Sequence, residues 1–416
     1  MSFLISNLVI IIILMYMLAY NSNNITFSIL FLIYWWFFCS IAYMLYHAQY
    51  SFYIEPFIWI TGCAAMVIIG HTAGRHIRFR EKQPKTWSLS GIQLCRLLMI
   101  ILILNLLYKA FTLMISGQLG MLFTPSGLLS ILNSAEKVKA SGNAVDGAGF
   151  VGKLIGVAFF FGCILYGFTY NIPEVGRSFA LKLLFLAQVG LNVITSAGKF
   201  SIISFIVLFV SGLTTAALRD RTLKIKEINY SRMAIYIIAI GGVLFMLMNN
   251  RAGRNVGMSL LMAYGFGEIP SFNNWFINGP HENTYGVQCF YGIVSHLGQN
   301  IMFAEGYTNY PLSPVPPFVN TFTMFRAVIS DFGIWGGLVL MLLIGFSAGK
   351  AYIELEDSGF ANGVMTMLLG VLFIGFLMPL GYYLTLFLGY VAFVVFISAY
   401  YRKPLHASAK YYGENV

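Results

Sequence analysis

The run GIQLCRLLMIILILNLLYKAFTLMI, residues 91–115, decides the fold class, because it is long and apolar enough to cross a bilayer as one helix. A transmembrane helix needs about 20 apolar residues. Similar runs recur along the chain, and they predict an all-α polytopic integral membrane protein with about eleven transmembrane helices in a single transmembrane domain, residues 1–416. The predicted spans are 4–20, 26–46, 54–74, 91–115, 149–170, 179–195, 200–218, 233–249, 329–349, 360–378 and 384–401.

The composition supports this class. Of the 416 residues, 58% are hydrophobic and 10% are charged, whereas soluble proteins carry about 25% charged residues. The formal net charge of +10 does not indicate a nucleic-acid partner, because the basic residues cluster in short loops between apolar runs. The cysteines form neither a disulfide framework nor a metal motif, since only Cys289 lies in a predicted loop. Segment 4–20 lacks a basic region before it and a cleavage pattern after it, and is predicted to be a helix, not a signal peptide.

The distribution of lysine and arginine predicts how the chain is oriented in the membrane. Basic residues concentrate in 75–85, in 219–232 and in the tail after 401, and alternating spans place all three stretches on one side. That side is predicted to be the cytoplasm, with the C-terminus inside and the N-terminus outside. Two long outer loops follow, 116–148 and 250–328. The longer one is rich in aromatic residues and proline, so it is expected to be ordered and to hold the active site. Within it, the spacing in 282–301 predicts a helix on the membrane surface.

Several function classes lack their signatures. No Asp, Glu or His lies in the middle of a predicted span, as ion-coupled transport usually requires. There is no Walker loop, and no outer D-x-D pair that would hold a metal-bound nucleotide sugar. No metal and no cofactor is expected.

Arginines in the outer loop indicate an anion. Arg251 and Arg254 share a helix face if the preceding span continues, and Arg326 follows Asn320 and precedes Asp331, either of which could orient it. A guanidinium binds phosphate oxygens through two parallel hydrogen bonds. These arginines are therefore candidate diphosphate ligands. The alternative is that the first two are interfacial anchors at a helix end.

Lys199, in the predicted outer turn TSAGKF (195–200), could add a phosphate contact or serve as an ordinary membrane anchor.

The same loop offers candidate acids and bases. His281 and Glu282 are the first choice for a base that accepts the proton of an attacking sugar hydroxyl, because a carboxylate can fix a histidine tautomer. Asp331 is a further candidate catalytic group, and a solvated loop histidine is the competing interpretation. Aromatic residues also crowd the loop, where they could stack on sugars or lie at the membrane interface. The candidate glycan contacts are Tyr264, Trp275, Tyr285 and Asn320.

The chain resembles the O-antigen and capsular polysaccharide repeat-unit polymerases, the Wzy-type membrane glycosyltransferases. RAGRNVGMSLLMAYGFGEIPSF (251–272) is similar to the family's arginine followed by a Tyr-x-x-Gly-x-x-Pro-like stretch. NTFTMFRAVISDFGIWGG (320–337) is similar to its passage of Asn-x-x-Thr, Arg and Asp-Phe-Gly. The dominant outer loop in the C-terminal half completes the likeness.

The resemblance implies a GT-C-type enzyme in the bacterial inner membrane. Donor and acceptor would both be oligosaccharides on polyprenyl diphosphate, and polyprenyl diphosphate would leave as the new glycosidic bond forms. A membrane protein that regulates chain length is a further expected partner, beside the lipid bilayer itself. In this scheme Asp331 orients Arg326, and His281 or Glu282 takes the acceptor proton.

Three alternatives stay open at this point. An O-antigen ligase would use the same donor and transfer the glycan to lipid A–core. GPHENTYG (279–286) faintly resembles the ligases' His-Asn passage, with Glu282 intervening. A flippase for lipid-linked sugars would place basic residues inside its spans, and a structural subunit would tolerate lysine in place of its arginines.

Overall fold

The computed structural model describes residues 25–77, 86–87, 89–124, 126–127, 130–131, 150–196, 199–222, 262–263, 265–279, 283–295 and 323–402. The described chain is almost entirely helical. Its helices are α1 Phe27–Tyr46, α2 Glu55–His76, α3 Gly91–Ile115, α4 Phe150–Thr169, α5 Pro173–Gly176, α6 Phe179–Ser196, α7 Lys199–Arg219, α8 Glu268–Asn278, α9 Tyr291–Val294, α10 Met324–Glu354, α11 Gly359–Ile374 and α12 Leu384–Tyr400. Two short 3₁₀ helices, Leu119–Phe123 and Leu380–Tyr382, and a two-residue antiparallel pairing of β1 Thr86–Trp87 with β2 Tyr401–Arg402 complete the described elements.

The helices confirm the membrane character that the sequence predicted. Within the described residues, six helices are long and apolar enough to cross a bilayer: α1, α2, α3, α4, α10 and, over Ile202–Arg219, α7. Shorter apolar helices cover Phe179–Asn192, Gly359–Ile374 and Leu384–Tyr400. The predicted segments 4–20 and 233–249 lie outside the described residues, and each of the other predicted segments contains a helix. The total of eleven spans therefore stays a prediction.

The chain divides into two compact units. Unit 1 comprises Met1–His76, Arg221–Gly349 and Leu368–Phe387, and unit 2 comprises Ile77–Asp220, Lys350–Met367 and Leu388–Val416.

In unit 1, close helix packing depends on glycine. A Cβ at Gly70 of α2 would collide with the carbonyl of Leu342, and one at Gly345 or Gly349 of α10 would collide with the carbonyls of Val67 or His71. Small residues at i and i+4 let membrane helices approach until backbones touch, which gains van der Waals contact where lipid supplies no hydrophobic driving force. This approach holds α10, which carries the predicted site, firmly against α2.

In unit 2, neutral polar side chains bridge the helices. Ser211 of α7 hydrogen-bonds the Tyr390 hydroxyl of α12 at 3.0 Å, and Thr366 of α11 donates to Thr215 of α7 at 2.9 Å. Gln188 of α6 donates to the side-chain carbonyl of Asn105 in α3. Interhelical hydrogen bonds of this kind are worth on average about 0.6 kcal/mol each in membrane proteins.

Segments beside the basic stretches contact each other in unit 2. β1, which follows the first stretch, pairs with β2, which begins the tail. The Arg219 guanidinium lies 5.9 Å from the Tyr401 ring centroid and 4.8 Å from that of Phe168. The side of the membrane on which these residues lie stays a prediction.

Candidate active site

Arg326 is the most unusual residue of unit 1. Its side chain is 2% exposed, and its guanidinium carbon lies 5.3 Å from the centroid of the Trp275 ring. A desolvated cation–π contact of this kind contributes about 2 kcal/mol. Taking an ion out of water costs several kcal/mol, so this contact by itself does not offset the burial.

The position of Arg326 near the N-terminal end of its helix is also unfavourable for stability. It belongs to the first turn of α10, a turn that has no acidic residue. The N-terminal end of a helix carries partial positive charge, so a cation there is disfavoured and an anion is favoured. Helix dipole and guanidinium therefore act in the same direction, toward binding an anion.

An aromatic cluster fixes the surroundings of Arg326. The ring of its neighbour Phe325 lies 4.2 Å from Trp35 and 5.2 Å from Trp59, measured between centroids. Phe272 of α8 joins the cluster, 6.0 Å from Phe325 and 6.2 Å from Trp275. Side chains from α1, α2, α8 and α10 thus hold Arg326 and Trp275 in one geometry.

A side-chain amide ties α8 to the loop before α2. Asn273 donates to the carbonyl of Tyr53 at 2.8 Å and accepts from its backbone N–H at 2.9 Å. This pairing satisfies both the amide and the backbone in a buried setting, where an unmade hydrogen bond would be expensive. It fixes the helix that carries Trp275.

Helix α10 is broken at Gly333, where φ is 70° and ψ is 174°. An L side chain rarely adopts a positive φ of this size, and glycine does so without steric cost. In an unbroken helix the carbonyl of Ser330 would accept from residue 334. Instead it accepts from Thr284, through the backbone N–H at 2.7 Å and the hydroxyl at 3.2 Å. The break thus opens a docking position for the segment that follows residue 282.

Asp331 completes this docking. One carboxylate oxygen accepts from the Thr284 hydroxyl and from the backbone N–H of Gln288 at 3.0 Å, and the other accepts from the backbone N–H of Cys289 at 2.6 Å. Asp331 is itself 2% exposed. Both of its oxygens are therefore used to fix the turn between Thr284 and Cys289.

The thiol of Cys289 contacts the same Asp331 carboxylate. Burial raises the pKa of its thiol well above the ordinary value, and the negative charge of Asp331 and a hydrogen bond to it raise it further. The thiol therefore stays protonated at neutral pH and is not a nucleophile. All five cysteines are free and buried.

The fully buried charged side chains of the described chain all belong to unit 1. They are Glu268 in the first turn of α8, Arg326 and Asp331. Among the described residues, no group of three or more His, Cys, Asp and Glu side chains could hold a metal ion. Of these three side chains, only Arg326 carries the positive charge that favours an anionic group.

The structure brings together some of the predicted site residues. Arg326 and Trp275 are in contact, and Tyr285 lies on the turn that Asp331 fixes. Arg326 is not among the described groups that Asp331 contacts, so its expected orientation by Asp331 has no described hydrogen bond behind it. Lys199 is the first residue of α7, and its side chain lies outside the described part of the structure. Outside the described residues lie Arg251, Arg254, Tyr264, His281, Glu282 and Asn320.

Sequence reasoning missed the docking of the turn. It predicted a surface helix over 282–301, but residues 285–290 form turns and the described helix covers only Tyr291–Val294. It also missed Thr284, Gln288 and Cys289 as the hydrogen-bond partners of Asp331, and Gly333 as the break in α10. Part of this was signalled, since Gly286 and Gly333 are glycines, which adopt a positive φ without steric cost.

No protein-family model matches the chain, and no curated protein and no solved structure shows significant similarity to it.

Proposed function

We propose that the protein is a membrane glycosyltransferase of GT-C type. It polymerises oligosaccharide repeat units carried on polyprenyl diphosphate into O-antigen or capsular polysaccharide, and it releases polyprenyl diphosphate at each step. It does so in a bacterial inner membrane, with about eleven spans and a cytoplasmic C-terminus. One observation carries the proposal: Arg326, 2% exposed, lies against Trp275 in the first turn of α10, in the helical segment that precedes the break at Gly333.

The chemistry needs a fixed positive group at this place. As the bond from the donor sugar to diphosphate breaks, negative charge grows on the departing oxygen. A guanidinium that is held rigidly in a site with little water stabilises that charge more than a mobile cation in solution, because neither side chain nor solvent must reorganise. The rigid surroundings of Arg326 and the positive helix end supply these conditions.

The lipid carrier fits a site among apolar helices. A polyprenyl chain can remain in the bilayer while its diphosphate reaches Arg326, so no aqueous channel for the donor is required. The resemblance to Wzy-type polymerases assigns the acceptor to a second lipid-linked repeat unit. In this scheme His281 or Glu282 takes the proton of the attacking hydroxyl, and Arg251, Arg254 and Lys199 add phosphate contacts.

The test replaces Arg326 with Lys and with Ala in the native host. A gel of the surface polysaccharide then separates polymer from a single repeat unit, and a blot measures the amount of protein. We expect both variants to accumulate normally and to collapse the ladder to core plus one repeat unit, since lysine cannot reproduce bidentate contact with a diphosphate.

Arg219→Lys is the matched control. Arg219 also lies over an aromatic ring, 4.8 Å from Phe168, but it pairs with Asp220 and belongs to unit 2. We expect this variant to keep the full ladder. A full ladder in Arg326→Ala would overturn the proposal. Loss of every repeat unit from the surface would favour a ligase or a flippase instead.

A further inference from the structure

The turn that Asp331 holds has an unusual residue at its tip. Residues Thr284–Val287 form a β-turn that is closed by a hydrogen bond from the Val287 N–H to the Thr284 carbonyl at 3.1 Å. The two central residues both have positive φ, 50° at Tyr285 and 92° at Gly286. Positive φ at both central positions defines the type I′ family of turns, in which asparagine, aspartate and glycine dominate the first of these positions.

Tyrosine at this position is costly for the fold. A side chain with a Cβ in the left-handed region is strained, and only asparagine and aspartate relieve part of that strain by local hydrogen bonding. Tyr285 gains nothing in return from packing, because it is 85% exposed. Among the described residues its ring and hydroxyl make no hydrogen bond and no ring contact. A nearby tyrosine behaves differently, since Tyr291 stacks on Tyr382 at 5.5 Å.

The backbone under Tyr285 is nevertheless firmly held. Thr284 on one side and Gln288 and Cys289 on the other are bonded to Ser330 and Asp331 of α10. Strained conformations persist where the surroundings over-determine them, and such places are concentrated at binding and catalytic sites. A rigid, strained support under an exposed aromatic ring is the construction expected of a ligand contact.

We propose that Tyr285 is a sugar-stacking residue and that Asp331 is the positioning residue that holds it in place. The ligand is the carbohydrate part of the lipid-linked substrate, which packs the apolar C–H face of one ring on the tyrosine. This assignment rests on the proposed function for its choice of ligand. It changes the role of Asp331, which the sequence suggested as a catalytic group.

The chemistry favours a sugar over a lipid chain as the occupant. Tyrosine combines an apolar face with a polar hydroxyl, which suits a sugar ring that has C–H groups on its face and hydroxyls at its edge. An interfacial anchor for lipid would need only exposure, which many apolar residues of this chain have on unstrained helices. A required direction of the ring accounts for the strain at Tyr285.

The decisive variant is Tyr285→Asn, which separates stability from function. Asparagine suits the left-handed position, so we expect the variant to unfold at a temperature about 1–3 °C higher than the natural protein. We expect KM for the lipid-linked repeat unit to rise about 10-fold, while kcat changes by less than about 2-fold. Both are measured on purified protein in nanodiscs. Tyr285→Trp, which keeps a stacking face, should recover most of the affinity.

Binding is also measured without turnover. Saturation-transfer NMR with oligosaccharides released from the host's own polysaccharide should show contact to the natural protein, and several-fold less to Tyr285→Asn. Phe123→Asn is the control, because Phe123 is another highly exposed aromatic residue and belongs to unit 2. It should change neither KM nor the NMR signal. An unchanged KM in Tyr285→Asn would refute the stacking role, as would a fall in its unfolding temperature together with a fall in kcat.

Asp331→Asn tests the positioning role. A catalytic acid or base lost in this way would lower kcat and leave KM nearly unchanged. If Asp331 positions the turn, we expect the opposite result: KM rises several-fold while kcat stays nearly unchanged. The backbone amides of Gln288 and Cys289 should also exchange hydrogen faster. If kcat alone falls, Asp331 is catalytic and the inference is wrong.

These outcomes are distinct from failure of the proposed function. If Arg326→Lys keeps full polymerisation, the diphosphate site is wrong, whatever Tyr285 does. If Arg326→Lys is inactive while Tyr285→Asn behaves as the natural protein in every assay, the polymerase proposal stands and the stacking site is refuted.

Discussion

Units 1 and 2 are both built from apolar helices, but they bury different kinds of polar side chain. Unit 2 buries neutral groups that bond one helix to another, such as Thr215 with Thr366 and Ser211 with Tyr390. Unit 1 buries Glu268, Arg326 and Asp331, the fully buried charges of the described chain. Neutral bonds between helices gain modest stability at little desolvation cost. Buried charges cost much and are weak evidence of stability. This difference is the reason why we propose that the chemistry takes place in unit 1 and that unit 2 supports the fold.

The largest expected effect on the polymerisation rate comes from removing the positive charge of Arg326 in unit 1. Arg326→Met should lower the polymerisation rate more than 100-fold, which corresponds to about 2.7 kcal/mol of transition-state stabilisation, because methionine fills space without stabilising the leaving diphosphate. Thr366→Val in unit 2 should change the rate less than about 2-fold. Initial rates from purified protein and lipid-linked repeat units check both values. If both variants lost the same fraction of the polymerisation rate, the contrast between units 1 and 2 would have no functional basis.

The break in α10 should be the next most sensitive position. Gly333→Ala places a side chain at φ 70° and should cost roughly 1–2 kcal/mol of stability. It should also loosen the turn that Asp331 holds and raise KM, as measured in the same rate assay. Gly336→Ala is the matched control, because Gly336 lies in the same helix and its added Cβ meets the Phe332 Cβ at 3.0 Å. A Gly336→Ala variant as impaired as Gly333→Ala would show that tight packing, not the break, is what matters.

A smaller effect, on stability, is expected from the hydrogen-bonded pair Thr215 and Thr366 in unit 2. A double-mutant cycle of Thr215→Val and Thr366→Val should give a coupling free energy of about 0.6 kcal/mol, the average for hydrogen bonds between membrane helices. Unfolding in detergent measures it, with the single variants as references. Activity should persist in all three variants. A coupling near zero would mean that the 2.9 Å contact adds no stability to unit 2.

The smallest effect concerns Cys289. Because burial and then Asp331 raise its thiol pKa above the ordinary value, the thiolate forms at higher pH in the folded protein than in the unfolded chain. The stability that the neutral thiol contributes is thus present below the unfolded pKa and lost as pH rises through the folded pKa. Iodoacetamide at pH 8 should leave Cys289 unmodified, as read by mass spectrometry. Asp331→Asn should speed the labelling modestly, and rapid labelling of the natural protein would contradict the buried, protonated thiol.

The local part of the fold could be predicted because the signal is local. A run such as 91–115 must become a helix in a bilayer, since each of its backbone groups needs a partner that lipid cannot supply. The capping box at the start of α3, in which Ser90 and Gln93 exchange hydrogen bonds, is likewise a local feature. Arg326 and Trp275 could be named as candidates from residue type and location alone.

The contacts between those candidates could not be predicted in the same way. Trp275 is separated from Arg326 by about fifty residues, and only the aromatic cluster around Phe325 decides that the two meet. Asp331 was expected to orient Arg326 because the two are close in sequence. A helix places residues five apart on different faces, and the carboxylate instead reaches the turn at Thr284.

The sequence by itself determined that this chain is a helical membrane protein, where most of its described helices lie, and which residue types could bind an anion and a sugar. It could do so because hydrophobic length and charge distribution act residue by residue along a helix. Only the tertiary structure decided that α10 breaks at Gly333, that Asp331 holds the turn below Tyr285, and that the fully buried charges of the described chain belong to unit 1. These features depend on hydrogen bonds and packing between segments far apart in the chain, and no local pattern encodes which of many possible partners is chosen.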